Sequence, residues 1–231
     1  MESSCGDYGD KSEIERFSPW ESAYRRFETP EEEIRKFIRR LLILGARDWH
    51  REAMIVELFC GRGNGLHALS RLGFTHVEGI DQSAALIAEY TGPSKCYVAD
   101  CRNLPLQDQS RDIAVIHGGL HHLSILPEDL EAVLSEVNRV LKKEGQLVVV
   151  EPWLTPFLSL VHWGCRVSFI RRLSKKIGAL ATMTELEHPI YDRWLEQPEE
   201  ILALFSRFFE AKKCKIAWGK LMFAGAVRPQ L

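Results

Sequence analysis

Between Met54 and Glu151, short and almost uninterrupted apolar runs alternate with segments whose apolar residues recur at helical spacing. MIVELF (54–59), HVEGI leading into Asp81, KCYVAD (95–100), DIAVIH (112–117) and QLVVVE (146–151) read as strands. Strands that are apolar on both faces belong to a parallel sheet, because crossover helices must cover it on both sides. The intervening segments supply those helices. Leu66, Leu69 and Leu72 keep helical spacing until Gly73, Ser83 is placed to cap AALIAEY, and Leu130, Val133, Leu134, Val137 and Leu141 form one stripe between Pro127 and Gly145.

The flanks break this rhythm. Residues 1–12 are polar and Gly/Ser-bearing, and EEEIRKFIRRLLIL (31–44) is an amphipathic helix that starts after Thr29-Pro30 with acids in its first turn. Residues 1–50 are therefore expected to be an N-terminal helical extension of a main domain at 51–231. After the fifth strand, residues 152–196 read as a helical insertion, and Pro198 opens the helix EEILALFSRFF. AKKCKIAW and KLMFAGAV then close the chain with only Gly219 and Lys220 at their junction, so they should pair as an antiparallel hairpin. The fold expected is α/β: a doubly wound, Rossmann-like, seven-stranded, mostly parallel sheet with an antiparallel terminal hairpin.

Composition narrows the partners. The 231 residues, 45% hydrophobic, suffice for one domain with an elaboration. Thirty basic against thirty-two acidic residues give a net charge of −2, which disfavours nucleic acid. The six cysteines, at 5, 60, 96, 101, 165 and 214, form no CxxC pair and no Cys/His metal spacing. That pattern suits reduced thiols in the cytoplasm, with no structural metal and no disulfide framework. The N-terminus lacks a basic-then-apolar leader, and no apolar run reaches the roughly 18 residues of a membrane span.

Glu57-Leu-Phe-Cys-Gly61-Arg-Gly63-Asn-Gly65 lies between a strand and a helix. Glycines there let backbone N–H groups approach a ligand closely, and the helix N-terminus favours anionic groups. Asp81 ends the next strand about 20 residues on, where a carboxylate can accept both ribose hydroxyls. A dinucleotide fingerprint would require glycine at 66 after Gly61 and Gly63, and residue 66 is leucine.

The pattern Gly61-x-Gly63-x-Gly65 resembles the first motif of class I S-adenosylmethionine-dependent methyltransferases, and the resemblance continues through four further stations up to residue 151. It implies S-adenosylmethionine as cofactor. Glu57 stands where the family has an acid leading into the glycines, and Asp81, followed by Gln82, where it binds ribose. Asp100 and the amide of Cys101 stand where adenine is met. DIAVIHGGLHHL matches the segment beneath the methionine part of the cofactor, which brings His117 beside it. EVNRVLKKEGQLVVVEP matches the characteristic helix and fifth strand. Tyr24, Arg25 and Arg26 precede the first strand, where many relatives fold a helix over the cofactor; an arginine there either pairs with the methionine carboxylate or lies on a solvated face. Arg62 has the same two readings. The chain departs from the family at Phe59, where a glycine is usual; its phenyl ring either narrows the pocket or points into the sheet.

The resemblance implies in-line displacement of a sulfonium methyl by an acceptor lone pair. An acceptor that must lose a proton needs a base near neutrality, and His117, His121 and His122 cluster at the end of the fourth strand. Each is a catalytic candidate, with a loop-orienting role as the alternative. Glu151 is a further base candidate or a loop tie. The expected activity is methyl transfer to a small, apolar or lipid-like acceptor, at oxygen; the alternatives are an RNA- or protein-modifying enzyme and a non-catalytic module that binds the cofactor. The insertion 152–196 is expected to cap the acceptor. From Pro152 to Thr184 it has no Asp or Glu but includes Arg166, Arg171, Arg172, Lys175 and Lys176, beside a broad apolar stripe containing Phe157, Leu160, Trp163 and Phe169. That balance suits an anionic acceptor or peripheral membrane contact through 152–184.

Overall fold

The computed structural model describes residues 18–228; the polar segment 1–12 lies outside them. The elements run α1 Pro19–Phe27, α2 Pro30–Ile43, β1 Ile55–Leu58, α3 Asn64–Arg71, β2 Val77–Asp81, α4 Ala84–Ile87, β3 Lys95–Val98 and β4 Arg111–His117. A 3-10 turn at Leu120–His122 follows, then α5 Glu128–Val140, β5 Leu141–Pro152, α6 Pro156–Arg166, α7 Ser168–Leu173, α8 Lys175–Glu196, α9 Pro198–Phe208, β6 Phe209–Ala217 and β7 Lys220–Val227.

The seven strands form one sheet in the order β3-β2-β1-β4-β5-β7-β6. Strands β1 to β5 pair in parallel, while β7 runs antiparallel to both β5 and β6. The doubly wound sheet with a terminal hairpin is thus the one expected. Ala217 pairs with Lys220, so the hairpin turns on Trp218 and Gly219, both at positive φ (53° and 73°). Two left-handed residues match the twist of the flanking strands.

Strand residues alternate between two cores. Ile55, Ile113, Val115, Val148 and Val150 face one side, where Ile34, Phe37 and Leu41 of α2 and Leu66 and Leu69 of α3 meet them. Val56, Leu58, Ala114, Ile116, Leu147 and Val149 face the other, packed against Leu130, Val133, Leu134 and Val137 of α5 and Leu204 and Phe205 of α9. Each fully buried Leu, Ile or Phe contributes about 1.5–3 kcal/mol. Apolar content on both faces is what made the strand runs nearly continuous.

The helix starts follow the local signals, but α4 stops at Ile87, inside the expected AALIAEY, and α5 stops at Val140, with Leu141 opening β5. Ser83 caps α4, its side chain accepting from Leu86 N at 3.2 Å. Gly73, at φ 89°, follows the last turn of α3. Strand β3 ends at Val98 rather than 100, which leaves Asp100 on a loop, and β5 begins five residues before the expected 146, at Leu141.

The chain divides into two compact units. One joins the described residues up to Thr29 with Leu160–His188; the other joins Pro30–Ser159 with Pro189–Leu231 and holds the whole sheet. The division does not fall at residue 50. Helix α2 belongs with the sheet because its apolar face completes the core beside β1. Within the first unit Leu160, Trp163 and Phe169 are exposed, Cys165 is buried, and Arg171 pairs with Glu185 at 2.7 Å. No helix among the described residues is long and apolar enough to cross a membrane.

Candidate active site

The chain winds outward from β1 through β2 to β3, then returns to β4 on the opposite side of β1. Loops leaving the carboxyl ends of β1 and β4 therefore diverge, and the crevice between them is where open α/β sheets bind ligands. The loop after β1 contains the glycine motif. Gly61 and Gly63 adopt positive φ (51° and 82°), and Gly63 N donates to Cys60 O at 2.8 Å to close the turn. Phe59 also has positive φ, 57°. Left-handed backbone at this station accounts for a preference for glycine. The phenyl ring packs on Gly119, where a β-carbon would lie 2.3 Å from Phe59 Cγ, and against the sheet core. The ring thus touches both the β4 loop and the sheet core.

Asp81 ties the glycine turn to β2: Oδ2 accepts from Gly61 N and Oδ1 from Ser83 N, both at 2.8 Å. Each carboxylate oxygen retains acceptor capacity for a hydroxyl pair. Glu57 is buried, and its Oε2 has no hydrogen-bond partner among the described residues. Desolvation, then the nearby charges of Glu33 and Asp81, push its pKa well above the carboxylate range. Gly65 is pressed against it, since a β-carbon there would lie 1.9 Å from Glu57 Oε1. A glycine cradle against an orphaned acid fits a ligand that carries an ammonium group, as S-adenosylmethionine does.

Beyond β3, Asp100 is gripped by Arg102, whose guanidinium reaches Oδ2 at 2.6 Å while its backbone N–H reaches Oδ1 at 2.8 Å. This bond, with further help from Gln82, lowers the Asp100 pKa to about 2. Asp100 and Gln82, singled out separately, thus meet. Arg102 also reaches Asp129 at 2.7 Å. Sequence reading missed this arginine because only the fold brings Asp129 to it. Cys101 is buried, and desolvation raises its thiol to about 12, so its side chain is inert at neutral pH.

The three histidines have separate environments. His117 receives Arg40 Nη1 at its Nε2, 2.7 Å away, and Phe37 lies on its ring at 4.1 Å. Part of the ring stays accessible, yet desolvation, then the charges of Arg40 and Lys220, hold its pKa well below the ordinary value. With its lone pair engaged by a cation, His117 has no free site for a proton. His121 Nδ1 lies 2.7 Å from Glu151 Oε2. Glu151 is fully buried, and its Oε1 accepts from both Gly119 N and Leu120 N at 2.8 Å. A carboxylate only accepts, so in this pair Nδ1 is the donor and Nε2 is the ring nitrogen left for other contacts. The His122 ring lies tilted against that of His121, with centroids 4.0 Å apart. Desolvation and His121 lower its pKa, although the ring keeps an exposed edge that moderates the drop.

Helix α2 supplies contacts that the sequence did not reveal. Glu33 accepts from Asn64 Nδ2 at 2.5 Å, and Phe37 and Arg40 reach His117. Their spacing at 33, 37 and 40 is one helix face, the only signal available beforehand. The N-terminal candidates lie in the other compact unit. There Tyr24 stacks on Trp20 at 5.1 Å, and Arg25 pairs with Glu21 at 3.0 Å.

The profile of a family described as "Methyltransferase domain" matches residues 56–149. A ubiquinone/menaquinone biosynthesis C-methyltransferase from Campylobacter jejuni is 26% identical over 177 residues, 69% of this chain and 72% of that protein. A demethylmenaquinone methyltransferase from Thermotoga maritima is 34% identical over 102 residues, 42% of each chain. Among solved structures, a Pyrococcus horikoshii protein superposes with a TM-score of 0.68 at 18% identity, covering 92% of this chain and all of that one. An S-adenosylmethionine-dependent methyltransferase from Mesorhizobium loti gives 0.55 at 17% identity, covering 80% and 96%. The glycine cradle, the acids of β1 and β2 and the sheet order agree with these matches: residues 56–149 carry a methyltransferase domain, and the fold is that of the class I S-adenosylmethionine-dependent methyltransferases.

Proposed function

We propose that this methyltransferase acts on a small, apolar or lipid-like acceptor with an ionisable hydroxyl, that His121 takes the proton, and that the methyl goes to oxygen. The observation that carries this reading is the buried Glu151 carboxylate, which fixes His121 through Nδ1 and leaves Nε2 as a base at the carboxyl end of β4. When bound, the cofactor supplies an electrophilic sulfonium methyl. The chain's own work is alignment, dehydration and proton removal. Asp81 with Gln82 is proposed to hold ribose, Asp100 and the Cys101 amide the adenine, and Glu57 the amino group. The turn through Gly61, Gly63 and Gly65 lets the backbone approach. Tyr24 and Arg25 are proposed as further cofactor contacts, and the insertion 152–196 as the acceptor cap. His117 and His122 are given no base role.

A second reading follows from the Campylobacter jejuni relative, which is named for C-methylation in ubiquinone/menaquinone biosynthesis. A deprotonated ring hydroxyl shares its charge with ring carbons, so the same base would serve transfer to carbon. Incubating the pure chain with methyl-labelled cofactor and a panel of apolar-tailed phenols and quinols tests both, with the labelled atom located by NMR. His121→Ala should lower turnover by roughly 10²–10⁴ with cofactor affinity almost unchanged. Full turnover in His121→Ala from acid to alkaline pH would remove the base assignment. Label entering RNA or protein in place of the panel would replace the small-molecule reading.

A further inference from the structure

The start of α6 and the turn of the β6–β7 hairpin, about sixty residues apart in sequence, form a single surface. Trp153 N donates to Gly219 O at 2.9 Å, and Gly219 N donates to Thr155 Oγ1 at 3.1 Å. Thr155 Oγ1 also accepts from Leu158 N at 3.1 Å, so the residue that starts the helix also holds the turn. Leu158 packs on Gly219, where a β-carbon would lie 3.3 Å from its side chain. Phe157 meets Trp218 edge-on at 5.3 Å.

This rigid junction presents large apolar side chains to solvent. Trp218 is 77% exposed, Leu154 51%, Ile216 46% and Phe157 44%. Ordinary surfaces scatter such residues singly, whereas a cluster marks a place where something docks. The two contributing segments, 152–159 and 211–220, contain Lys212, Lys213, Lys215 and Lys220 but no Asp or Glu. Lys212 pairs with Glu210 just outside them, and Lys213 donates to Ile43 O.

We infer that this surface docks the protein on a lipid bilayer bearing anionic headgroups. Tryptophan at the tip of a two-residue turn suits the interface, because its ring is apolar and its N–H stays wet. Lysines around an apolar prong match a negative leaflet. A second copy of the chain fits poorly. Pairing through the edge strand β6 would bring its lysines together, and like charges across strands oppose association. This docking rests on 152–159 and the hairpin alone, and it does not depend on which acceptor is methylated.

Flotation of the full chain with vesicles tests it, using phosphatidylcholine alone and phosphatidylcholine mixed with phosphatidylserine. Binding is expected with the mixed vesicles, with release as salt rises. The double variant Phe157→Ser, Trp218→Ser should lower the bound fraction by roughly tenfold or more while keeping the parent's cofactor affinity and circular dichroism. Brominated acyl chains should quench tryptophan fluorescence in the parent and much less in Trp218→Ser. Lys213→Gln with Lys215→Gln, which leaves the apolar prong in place, should weaken binding and flatten its salt dependence. The inference is overturned if the parent does not float with anionic vesicles or if the serine variant floats as well as the parent. It is also overturned if the parent sediments as a dimer without lipid that the serine variant dissociates, since the surface is then a contact between copies.

Discussion

A charged carboxyl buried without a partner costs several kcal/mol, and a protein avoids that cost by keeping it protonated. Glu57 comes close to this position: its Oε2 has no partner among the described residues, and burial with two neighbouring acids outweighs a hydrogen bond from the Leu66 backbone in raising its pKa. The sign of the linkage is the reverse of a salt-bridged acid. The folded state holds the proton more tightly than the unfolded chain, so stability falls as pH climbs from the ordinary carboxylate range toward the raised folded value. Glu57→Gln should therefore flatten the fall in stability between acid and neutral pH, measurable as urea midpoints across that range. Placing the cofactor's ammonium group beside Glu57 would favour the charged form and expel the proton. The binding enthalpy of the parent should then vary with the buffer's ionisation enthalpy, and that of Glu57→Gln should not. Buffer-independent enthalpy in the parent would mean that Glu57 is already ionised. At the same scale, Glu57, Gly61, Asp81 and Asp100 were legible as residue types at fixed spacing. The hold of Glu151 on His121 was not, because the two stand 30 positions apart and no periodicity links them.

Elements impose constraints that single residues hide. The β1 and β4 loops are coupled through Phe59, which adopts left-handed backbone at a cost of about 1–2 kcal/mol for a residue with a β-carbon and packs its ring on Gly119. Gly119 itself has an ordinary φ of −118°, so alanine there is unfavourable only through the ring. Gly119→Ala should destabilise the protein by about 1–3 kcal/mol by overpacking, and the loss should largely vanish in a Phe59→Gly background. A denaturation cycle over the four proteins measures the coupling; equal costs in both backgrounds would show that the loops are independent. Helix and strand assignments were readable wherever burial on both faces, or caps such as Ser83 and Gly73, set a local pattern. Strand ends were less so, since pairing continues or stops according to the neighbouring strand, as at β3 and β5.

For the whole molecule, the test is linkage between ligand and fold. A ligand that binds only the folded state adds about 2.7 kcal/mol at a hundred times its dissociation constant, or roughly 2–4 °C of melting temperature per kcal/mol in a chain of this size. S-adenosylmethionine and its demethylated product should both raise the melting temperature in this way, while NAD should leave it unchanged, because Leu66 stands where a dinucleotide site needs glycine. A shift with NAD alone would contradict the cofactor assignment. The sequence by itself determined the α/β class and the succession of strands and helices, since these depend on local propensity and periodicity, and it set glycines and acids at the spacing that the resemblance to methyltransferases reads as cofactor stations. The tertiary structure decided the rest. It placed α2 with the sheet, brought Arg40 to His117 and Arg102 to Asp129, set Glu151 behind His121 and joined Trp218 to Phe157. These are contacts between segments far apart in the chain, and their partners are selected by packing and by the need to satisfy buried polar groups, which no local pattern records.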